Sequence, residues 1–225
     1  QMFRILVVED DSKLRELILL NLRKWGFETR GVEDFSKVME AVEEQDPHLV
    51  LLDINLPIYD GFYWCRKIRS ASKRPIIFIS SRGANMDVVM AVNMGGDDFV
   101  QKPFSLDVLA AKMQALLRRT YSYGKEEGET VEHRGAVLHL GEGELHYQDK
   151  KIMLTRNELR ILHLLIKHGG EVLSREKIMR ALWDDENFVD DNTLTVNINR
   201  LRRKLSDAGL EDWIETRKGQ GYMLI

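Results

Sequence analysis

Residues 3–10, FRILVVED, form an apolar run that ends on two acidic side chains. Three later runs have the same form, a mostly apolar stretch followed directly by a polar residue: HLVLLD (48–53), PIIFIS (75–80) and FVQK (99–102). A weaker run at 27–32 could supply a fifth strand, and amphipathic stretches typical of helices separate the runs. The alternation predicts a flavodoxin-like (βα)5 domain, an α/β fold in which a parallel sheet carries helices on both faces.

The polar residues at the ends of these runs should lie close together, because parallel strands open at their carboxyl ends onto one crevice. They are Glu9, Asp10, Asp53, Ser80 and Lys102. Three carboxylates in one place repel one another unless a cation neutralises them. Mg²⁺ is the expected cation because it prefers oxygen ligands and keeps positions for water and phosphate, and the backbone carbonyl of Asn55 could add a ligand.

The same residues suit the transfer of a phosphoryl group to an aspartate. A carboxylate can attack a phosphoryl donor to form an acyl phosphate, which here would form on Asp53. Lys102 would neutralise one phosphate oxygen, and the Ser80 hydroxyl would donate a hydrogen bond to another. If the acids only capped neighbouring helices, one or two of these residues would be explained, but not all five at this spacing.

The composition is typical of a soluble globular protein, with 225 residues, 44% of them hydrophobic and 31% charged, and a net charge of −3. No apolar run approaches the roughly 18 residues of a membrane span, so we expect no membrane partner. The single cysteine, Cys65, cannot form an intramolecular disulfide, which favours a cytoplasmic location. The six histidines show no metal-ligand spacing, so we expect ordinary surface or core positions for them.

Residues 122–132, SYGKEEGETVE, divide the chain. This stretch carries four glutamates, one lysine and two glycines but little apolar content, which predicts a flexible acidic linker. The expected domains are therefore 1–121 and 133–225. The second of these has 15 basic and 15 acidic residues, so any basic surface on it must be balanced by acids elsewhere.

The pattern in 133–225 predicts an α+β domain. Strand-like pieces at 135–140, 144–148 and 151–154 precede three helices, and a hairpin at 213–225 follows them. The helices are expected at 156–168, 175–183 and 191–208, the first opened by a capping box of Thr155 and Glu158.

The helix at 191–208 has an apolar stripe of Leu194, Ile198, Leu201 and Leu205 and a polar face rich in arginine. Such a face can enter the major groove and contact base edges, while basic residues at a hairpin tip can contact phosphate or the minor groove. The predicted DNA-binding residues are Thr193, Val196, Asn197, Arg200, Arg202, Arg203 and Lys204 on the helix and Arg217 and Lys218 in the hairpin. The alternative is a solvated, charged helix in an ordinary domain.

The strings VVEDD, LLDINLPIYDGF, IIFISSR and GGDDFVQKPF make residues 2–121 resemble the receiver domain of a two-component response regulator. The resemblance implies that Asp53 takes its phosphoryl group from a sensor histidine kinase and that Glu9, Asp10, Asp53 and the Asn55 carbonyl hold Mg²⁺. It also implies that Ser80 and Phe99 are switch residues and that the Lys102–Pro103 bond is cis. Phe99 stands where a tyrosine is commoner, so it cannot make a tyrosine's outward hydrogen bond.

In related DNA-binding regulators, a face beside the switch residues forms a symmetric homodimer on phosphorylation. The residues that the resemblance assigns to this interface are Val88, Asp97, Asp98, Val108, Lys112, Arg118 and Arg119. Val88 and Val108 stand where the family usually has an ion pair, so an apolar contact would replace it. The alternative is that Val88 faces the core of its own domain.

Residues 133–225 resemble the winged helix-turn-helix domain of the OmpR/PhoB group, through LTRNELRIL, VLSREKIMRALW, TVNINRLRRKL and ETRKGQGY. The resemblance implies that 191–208 is the recognition helix, that 217–221 is the wing and that the acidic loop 184–191 meets RNA polymerase. Two such domains, joined through a receiver dimer, would bind a direct-repeat promoter site in double-stranded DNA with higher affinity than either alone.

The chain is thus predicted to be a phosphorylation-dependent transcriptional regulator, and not an enzyme beyond its own aspartyl phosphorylation and dephosphorylation. One alternative is a Mg²⁺-dependent phosphohydrolase, although an acid is expected two residues after the nucleophile, where this chain has Asn55. Another is a constitutive DNA-binding protein with a vestigial receiver, which the full acidic set argues against. The string DGFYWCRKIR and the two valines are similar to GraR/BceR-like regulators, which implies control of antimicrobial-peptide resistance or transport genes.

Overall fold

The computed structural model describes residues 2–81, 87, 90, 91, 93–122, 129–183 and 191–225. The chain divides into two compact units, Gln1–Ser122 and Tyr123–Ile225. Four of our expectations lie wholly or partly outside the described residues: the amphipathic stretch at 86–94, expected to be a helix, the interface residue Val88, the linker at 122–132 and the polymerase-facing loop at 184–191.

Five parallel strands form the sheet of the first unit, in the order β2-β1-β3-β4-β5. They are β1 (Arg4–Val8), β2 (Glu28–Gly31), β3 (Leu49–Asp53), β4 (Ile76–Ser80) and β5 (Asp98–Gln101). The helices are α1 (Ser12–Lys24), α2 (Val38–Gln45), α3 (Gly61–Ala71) and α4 (Leu106–Ser122), and residues 87, 90, 91 and 93 are also helical. This strand order is that of flavodoxin-like folds, which confirms the predicted architecture.

Burial and capping explain why these segments adopt their structure. Every residue of β3 and β4 is buried, as expected for central parallel strands with helices on both faces. Helix α1 begins after Asp11, whose carboxylate accepts hydrogen bonds from the backbone of Lys13 and Leu14. Asp60 caps α3 in the same way. These caps fix the points at which the chain turns from the carboxyl edge of the sheet into a helix.

The second unit combines a four-stranded sheet, three helices and a hairpin, which confirms the predicted α+β winged-helix arrangement. The antiparallel strands are β6 (Thr130–His133), β7 (Ala136–His139), β8 (Glu144–Tyr147) and β9 (Lys150–Met153), in that order. The helices are α5 (Arg156–Lys167), α6 (Arg175–Trp183) and α7 (Asp191–Asp207), and the hairpin is β10 (Ile214–Arg217) with β11 (Gly221–Leu224).

Strand β6 begins inside the segment 122–132, so the prediction that all of this segment is linker is wrong. Its residues alternate between exposed and half-buried, and it pairs with β7 alone, at the edge of the sheet. The polar sequence TVEH carries no apolar run because an edge strand is held mainly by backbone hydrogen bonds to its one neighbour.

Helix α5 and the apolar stripe of α7 form as predicted. The Thr155 hydroxyl accepts from the Glu158 backbone, and the Glu158 carboxylate accepts from the Thr155 backbone, which completes the capping box. The four stripe residues of α7 are at most 1% exposed and belong to the core of the unit. Among the described residues, no helix is long and apolar enough to cross a membrane.

Candidate phosphoacceptor site and nucleic-acid interface

Three carboxylates meet at the carboxyl edge of the first sheet. Asp53 is the last residue of β3, and Glu9 and Asp10 directly follow β1, which is its neighbour in the sheet. One oxygen from each lies within 4.8 Å of the others. Glu9 and Asp53 are buried, whereas Asp10 is exposed. The predicted convergence of the acids at one place is therefore observed.

Lys102 brings an ammonium group to the carboxylates of this cluster. Its Nζ lies 2.8 Å from Asp53 Oδ2 and 2.9 and 3.0 Å from the two oxygens of Glu9. Its backbone nitrogen donates to the Ser80 carbonyl, so the ends of β4 and β5 are joined where the lysine leaves the sheet. The Lys102–Pro103 bond is cis, as predicted. One ammonium thus faces two buried carboxylates.

The pKa values reflect this crowding. Burial raises the pKa of the Glu9 carboxyl to about 7, and its hydrogen bond with Asp53 adds to the rise, while Lys102 opposes it. Burial alone lowers the pKa of Lys102, but its hydrogen bonds and its attraction to Asp53 and Glu9 outweigh burial, so that this pKa is raised. Lys102 therefore stays charged at neutral pH, and the Glu9 carboxyl changes between its protonated and ionised forms close to pH 7.

The cluster fits a divalent cation with oxygen ligands. Up to three negative charges face one positive charge, and two of the carboxylates are shielded from water, so a further cation would relieve their repulsion. Carboxylate oxygens are the ligands that Mg²⁺ prefers, and receiver domains typically use this ion. The donor set is therefore consistent with the Mg²⁺ predicted from the sequence.

The segment that follows Asp53 folds back on itself and holds the aspartate in place. The Asn55 backbone donates to Asp53 Oδ1 at 3.1 Å, and the Gly61 backbone donates to the Ile54 carbonyl at 2.8 Å. A Cβ atom on Gly61 would lie 2.2 Å from the Asp53 carbonyl oxygen, which only a glycine avoids. The loop 54–60 is therefore closed at its base, directly beside the candidate phosphoacceptor.

Ser80 and Phe99, the expected switch residues, lie on the two strands beyond β3. The register of β3 and β4 sets Ile79 opposite Asp53, so Ser80 is the next residue along the same edge. Ser80 is fully buried, and Phe99 is 8% exposed and belongs to the core cluster of this unit. Their placement is compatible with the expected roles, which remain predictions.

The residues assigned to a homodimer interface are not all available to a partner. Asp97 is buried, and its carboxylate binds Arg69 at 2.8 Å and the Ile76 backbone at 2.9 Å, so its assignment to the interface is wrong. The physical reason is that Asp97 closes the start of β5 onto β4 from inside the unit. Val108 is 49% exposed, and Arg118 is exposed as well.

Asp98 is surrounded by cations of its own unit. Burial raises the pKa of its carboxyl to about 6, against the attraction of Lys112 and Arg119. Lys112 and Arg119, which project from α4, are both half-buried. The charged part of the predicted interface is thus a cluster within one unit, and its use between two copies stays a prediction.

Two of the predicted DNA-binding residues face the interior of the second unit, and those assignments are wrong. Thr193 and Asn197 are buried, and the Asn197 amide donates to the Thr193 carbonyl. They flank the leucine stripe on a helix that contacts both α5 and α6, and this packing covers them. Lys204 is half-buried, and its ammonium binds Glu158 at 2.7 Å and the Met153 carbonyl at 2.9 Å, so its contact with DNA stays a prediction.

The exposed face of α7 is centred on residues other than Thr193 and Asn197. Asn199 and Arg203 are exposed, and Val196, Arg200 and Arg202 are half-buried. At about 100° per residue, positions 196, 199 and 203 lie opposite the leucine stripe, so the position of the stripe alone could have identified Asn199, which we missed. Arg217 and Lys218 are exposed at the hairpin tip, as predicted, although Arg217 also lies 3.2 Å from Glu215.

A pair of arginines around Tyr222 was not anticipated. Arg175, the first residue of α6, donates to the Thr195 hydroxyl at 2.9 Å and to the Tyr222 hydroxyl, and its guanidinium lies over the Tyr222 ring. The guanidinium of Arg202 lies at the same distance, 5.6 Å, from that ring and also bonds the Ile214 carbonyl. These contacts join α6, α7 and the hairpin into one positively charged surface.

Comparison with known proteins agrees with both units. The family described as "Response regulator receiver domain" matches residues 5–114, and "Transcriptional regulatory protein, C terminal" matches residues 149–224. The response regulator GraR of Staphylococcus aureus (strain MRSA252) is 49% identical over 220 residues, which cover 98% of each chain.

Solved structures of full-length regulators share the fold. A RitR mutant superposes with a TM-score of 0.77 at 23% identity and covers 99% of each chain. DrrB of Thermotoga maritima, described as an OmpR/PhoB homologue, gives a TM-score of 0.53 at 26% identity and covers 100% of this chain and 99% of its own.

Proposed function

The chain belongs to the two-component response regulators that join a receiver domain to an OmpR/PhoB-type DNA-binding domain, and we propose that Asp53 is its phosphoacceptor. The observation that carries this proposal is the shared lysine. The Lys102 ammonium contacts Asp53 and Glu9 together, at the one edge of the sheet where the acids converge. A cation held there can follow the charge from the carboxylate to an attached phosphoryl group.

Each side chain of the site has a separate role in the proposed reaction. Asp53 Oδ2, the oxygen that faces Lys102, attacks the phosphorus, and the leaving group departs in line. The Asn55 backbone holds the other oxygen, Oδ1, and so fixes the direction of attack. Lys102 neutralises a phosphate oxygen, and the Ser80 hydroxyl donates to another. Glu9, Asp10, Asp53 and the Asn55 carbonyl would hold Mg²⁺, which supplies charge neutralisation when bound.

We propose that the donor is a sensor histidine kinase and that both proteins act in the cytoplasm, where the DNA is accessible. Apart from this self-phosphorylation and the hydrolysis of the resulting acyl phosphate, no further enzymatic activity is proposed.

Phosphorylation adds roughly two negative charges at Asp53, next to Ser80 and two strands from Phe99. The proposed output is a homodimer through the exposed surface of α4, including Val108, which would place two DNA-binding domains on a direct repeat and let them contact RNA polymerase.

On this proposal the DNA contacts are made by the solvent face of α7 and by the hairpin. The residues are Val196, Asn199, Arg200, Arg202 and Arg203 on α7, Arg175 at the start of α6, and Arg217 and Lys218 in the hairpin. The expected target genes, for antimicrobial-peptide resistance or transport, remain a prediction that rests on the likeness to GraR-type regulators.

The test is to incubate the full chain with Mg²⁺ and acetyl phosphate and to read intact mass and light scattering. The wild type should gain one phosphoryl group that hydroxylamine removes, which identifies an acyl phosphate, and should shift from monomer to dimer. Asp53→Ala should show neither change. Asp46→Ala, which alters an exposed acid before β3, is the matched control and should behave as the wild type.

Each contrary result overturns a separate part of the proposal. A hydroxylamine-sensitive adduct that persists in Asp53→Ala would move the phosphoacceptor elsewhere. An adduct without a change in scattering would remove dimerisation as the output. No adduct with any small donor or kinase would leave a DNA-binding protein that does not respond to phosphorylation.

A further inference from the structure

A group of histidine and glutamate side chains lies on the outer face of the four-stranded sheet in the second unit. Leu138 and Leu145 are fully buried, so the residues on either side of them in β7 and β8 point away from the core. These neighbours include His139, Glu144 and His146, and the strand register sets His139 directly opposite Glu144. Antiparallel pairing thus brings together side chains that are separated by several residues in the sequence.

The geometry of the group is compact. The imidazole rings of His139 and His146 have centroids 4.0 Å apart, and His146 Nε2 lies 2.9 Å from Glu144 Oε2. Glu142, in the turn between β7 and β8, brings a third potential ligand. One donor atom from each of Glu142, Glu144 and His146 lies within 4.8 Å of the other two.

We propose that Glu142, Glu144 and His146, with His139 beside them, form a binding site for Zn²⁺. Mixed imidazole and carboxylate ligands suit a borderline transition metal, whereas Mg²⁺ prefers the all-oxygen cluster of the receiver. With metal–ligand bonds of about 2.0–2.1 Å, two ligands of a tetrahedral ion lie roughly 3.4 Å apart. The pair His146–Glu144 therefore needs to open by only about half an ångström for Zn²⁺ to replace the shared proton.

The surroundings favour such an ion. The side chains of Glu144 and His146 are 20% and 25% exposed, so they are partly shielded from water. Both stand on β8, which pairs with β7 and β9, so their backbone is held in position. On the same face, the register sets Glu132 on β6 opposite Val137 and sets Lys151 on β9 opposite His146. The glutamates of the face outnumber this lysine, and Lys151 is exposed and can turn towards solvent. The net field attracts a cation.

Glu142, Glu144 and His146 alternate along one turn and one strand, so strand periodicity alone could have placed them on one face, and only His139 comes from the neighbouring strand. Binding would tie the β7–β8 turn to β8, so it should slow local opening of this part of the sheet. The site belongs to the DNA-binding unit alone and does not depend on phosphorylation of the receiver.

The test is calorimetric titration of the full chain with Zn²⁺ in excess Mg²⁺, which keeps the acidic cluster of the receiver occupied. The wild type should bind one equivalent with micromolar or tighter affinity. His146→Gln and, separately, Glu144→Gln should each weaken binding at least about tenfold. His168→Gln is the matched control, because His168 also lies near a glutamate of this unit, Glu171, but outside the group. It should bind Zn²⁺ as the wild type does.

Thermal unfolding provides the second readout and guards against misfolded variants. Zn²⁺ should raise the melting temperature of the wild type and of His168→Gln, and should leave that of His146→Gln unchanged. The proposal is wrong if His146→Gln and Glu144→Gln both bind as tightly as the wild type, or if no equivalent binds below about 100 μM. An equivalent that disappears in Asp53→Ala would assign the Zn²⁺ to the receiver cluster and would also overturn the proposal.

Discussion

Each unit of the molecule has a lysine that binds a buried glutamate. The two contacts differ in the number of carboxylates that bind the lysine. In the receiver, Lys102 lies 2.9 Å from Glu9 and 2.8 Å from Asp53, so two buried carboxylates compete for one ammonium. In the DNA-binding unit, Lys204 lies 2.7 Å from Glu158 and donates its second hydrogen bond to a backbone carbonyl. The first contact carries excess negative charge, and the second is balanced.

This difference separates the proposed phosphoacceptor site from an ion pair to which we assign a structural role. Around Lys102 the unbalanced charge favours an added cation, and a phosphoryl group on Asp53 would still face an ammonium. Around Lys204 one ammonium balances the charge of one carboxylate, and Glu158 Oε1 also accepts from the Thr155 backbone in the capping box of α5. We expect removal of Lys102 to affect chemistry and removal of Lys204 to affect folding. Four measurements test this contrast.

The largest effect should follow Lys102→Met. Without the ammonium, the charge that develops on the transferred phosphoryl group has lost its nearest cation, so the rate of phosphorylation by acetyl phosphate should fall about 100- to 1,000-fold. The rate is measured by intact mass against time. Lys24→Met, at the exposed end of α1, is the control. A fall of less than threefold would mean that Lys102 is no more than a neutralising partner for Glu9.

Lys204→Met should destabilise the second unit by about 2–3 kcal/mol. Breaking a buried ion pair costs roughly 3–5 kcal/mol, but the Lys204 side chain is 31% exposed, so water can partly solvate the Glu158 carboxylate that remains. Native-state hydrogen exchange of amides in α5 and α7 measures the loss within this unit. Lys151→Met, which removes an exposed lysine from β9, should change these amides little. Unchanged exchange in Lys204→Met would show that the pair is not structural.

The affinity of the receiver for Mg²⁺ should depend on pH through Glu9. Its carboxyl has a pKa of about 7, so it is mostly ionised at pH 8 and mostly protonated at pH 6, where Mg²⁺ has to displace the proton. The affinity should therefore fall about tenfold from pH 8 to pH 6. Calorimetric titration across this range gives the value, and Glu9→Gln should flatten the dependence. A tighter complex at pH 6 would contradict the assignment.

The smallest effect is expected for Thr155→Ala, which removes the hydroxyl cap of α5 and should cost about 1 kcal/mol. Because Glu158 serves both the cap and Lys204, the loss in the double variant Thr155→Ala/Lys204→Met should differ from the sum of the single losses by about 0.5 kcal/mol or more. The same exchange experiment measures all three variants. Strict additivity would indicate that the cap and the ion pair act independently.

The sequence predicted where the acids and Lys102 converge because strand ends carry positional information. In a parallel sheet, a residue that ends a buried strand lies at the same edge as every other such residue, so Asp53 and Lys102 are brought together by topology alone. Side-chain chemistry then limits what the group can do. The fold was predictable for the same reason, since fully buried strands such as β3 and β4 appear as uninterrupted apolar runs.

The DNA-binding face was less predictable because a helix has no such fixed edge. Thr193 and Asn197 are polar, and their chemistry suggested contact with bases, but their burial depends on which elements pack against α7. Asn197 tolerates burial by bonding the backbone of its own helix. The position of His139 beside Glu144 and His146 depends on the β7–β8 register, which short strands with half-exposed faces do not specify.

The closed loop after Asp53 has a base that tolerates little change and a tip that can vary. Its base is held by the hydrogen bond from Gly61 to Ile54, and a single methyl group at Gly61 would strike the backbone of Asp53. Its tip presents Ile58, which is 68% exposed, and Tyr59, which stacks on Tyr63. Changes of length or side chain at the tip need not displace Asp53, so the surface of this loop can vary among regulators of this design while the geometry at its base remains the same.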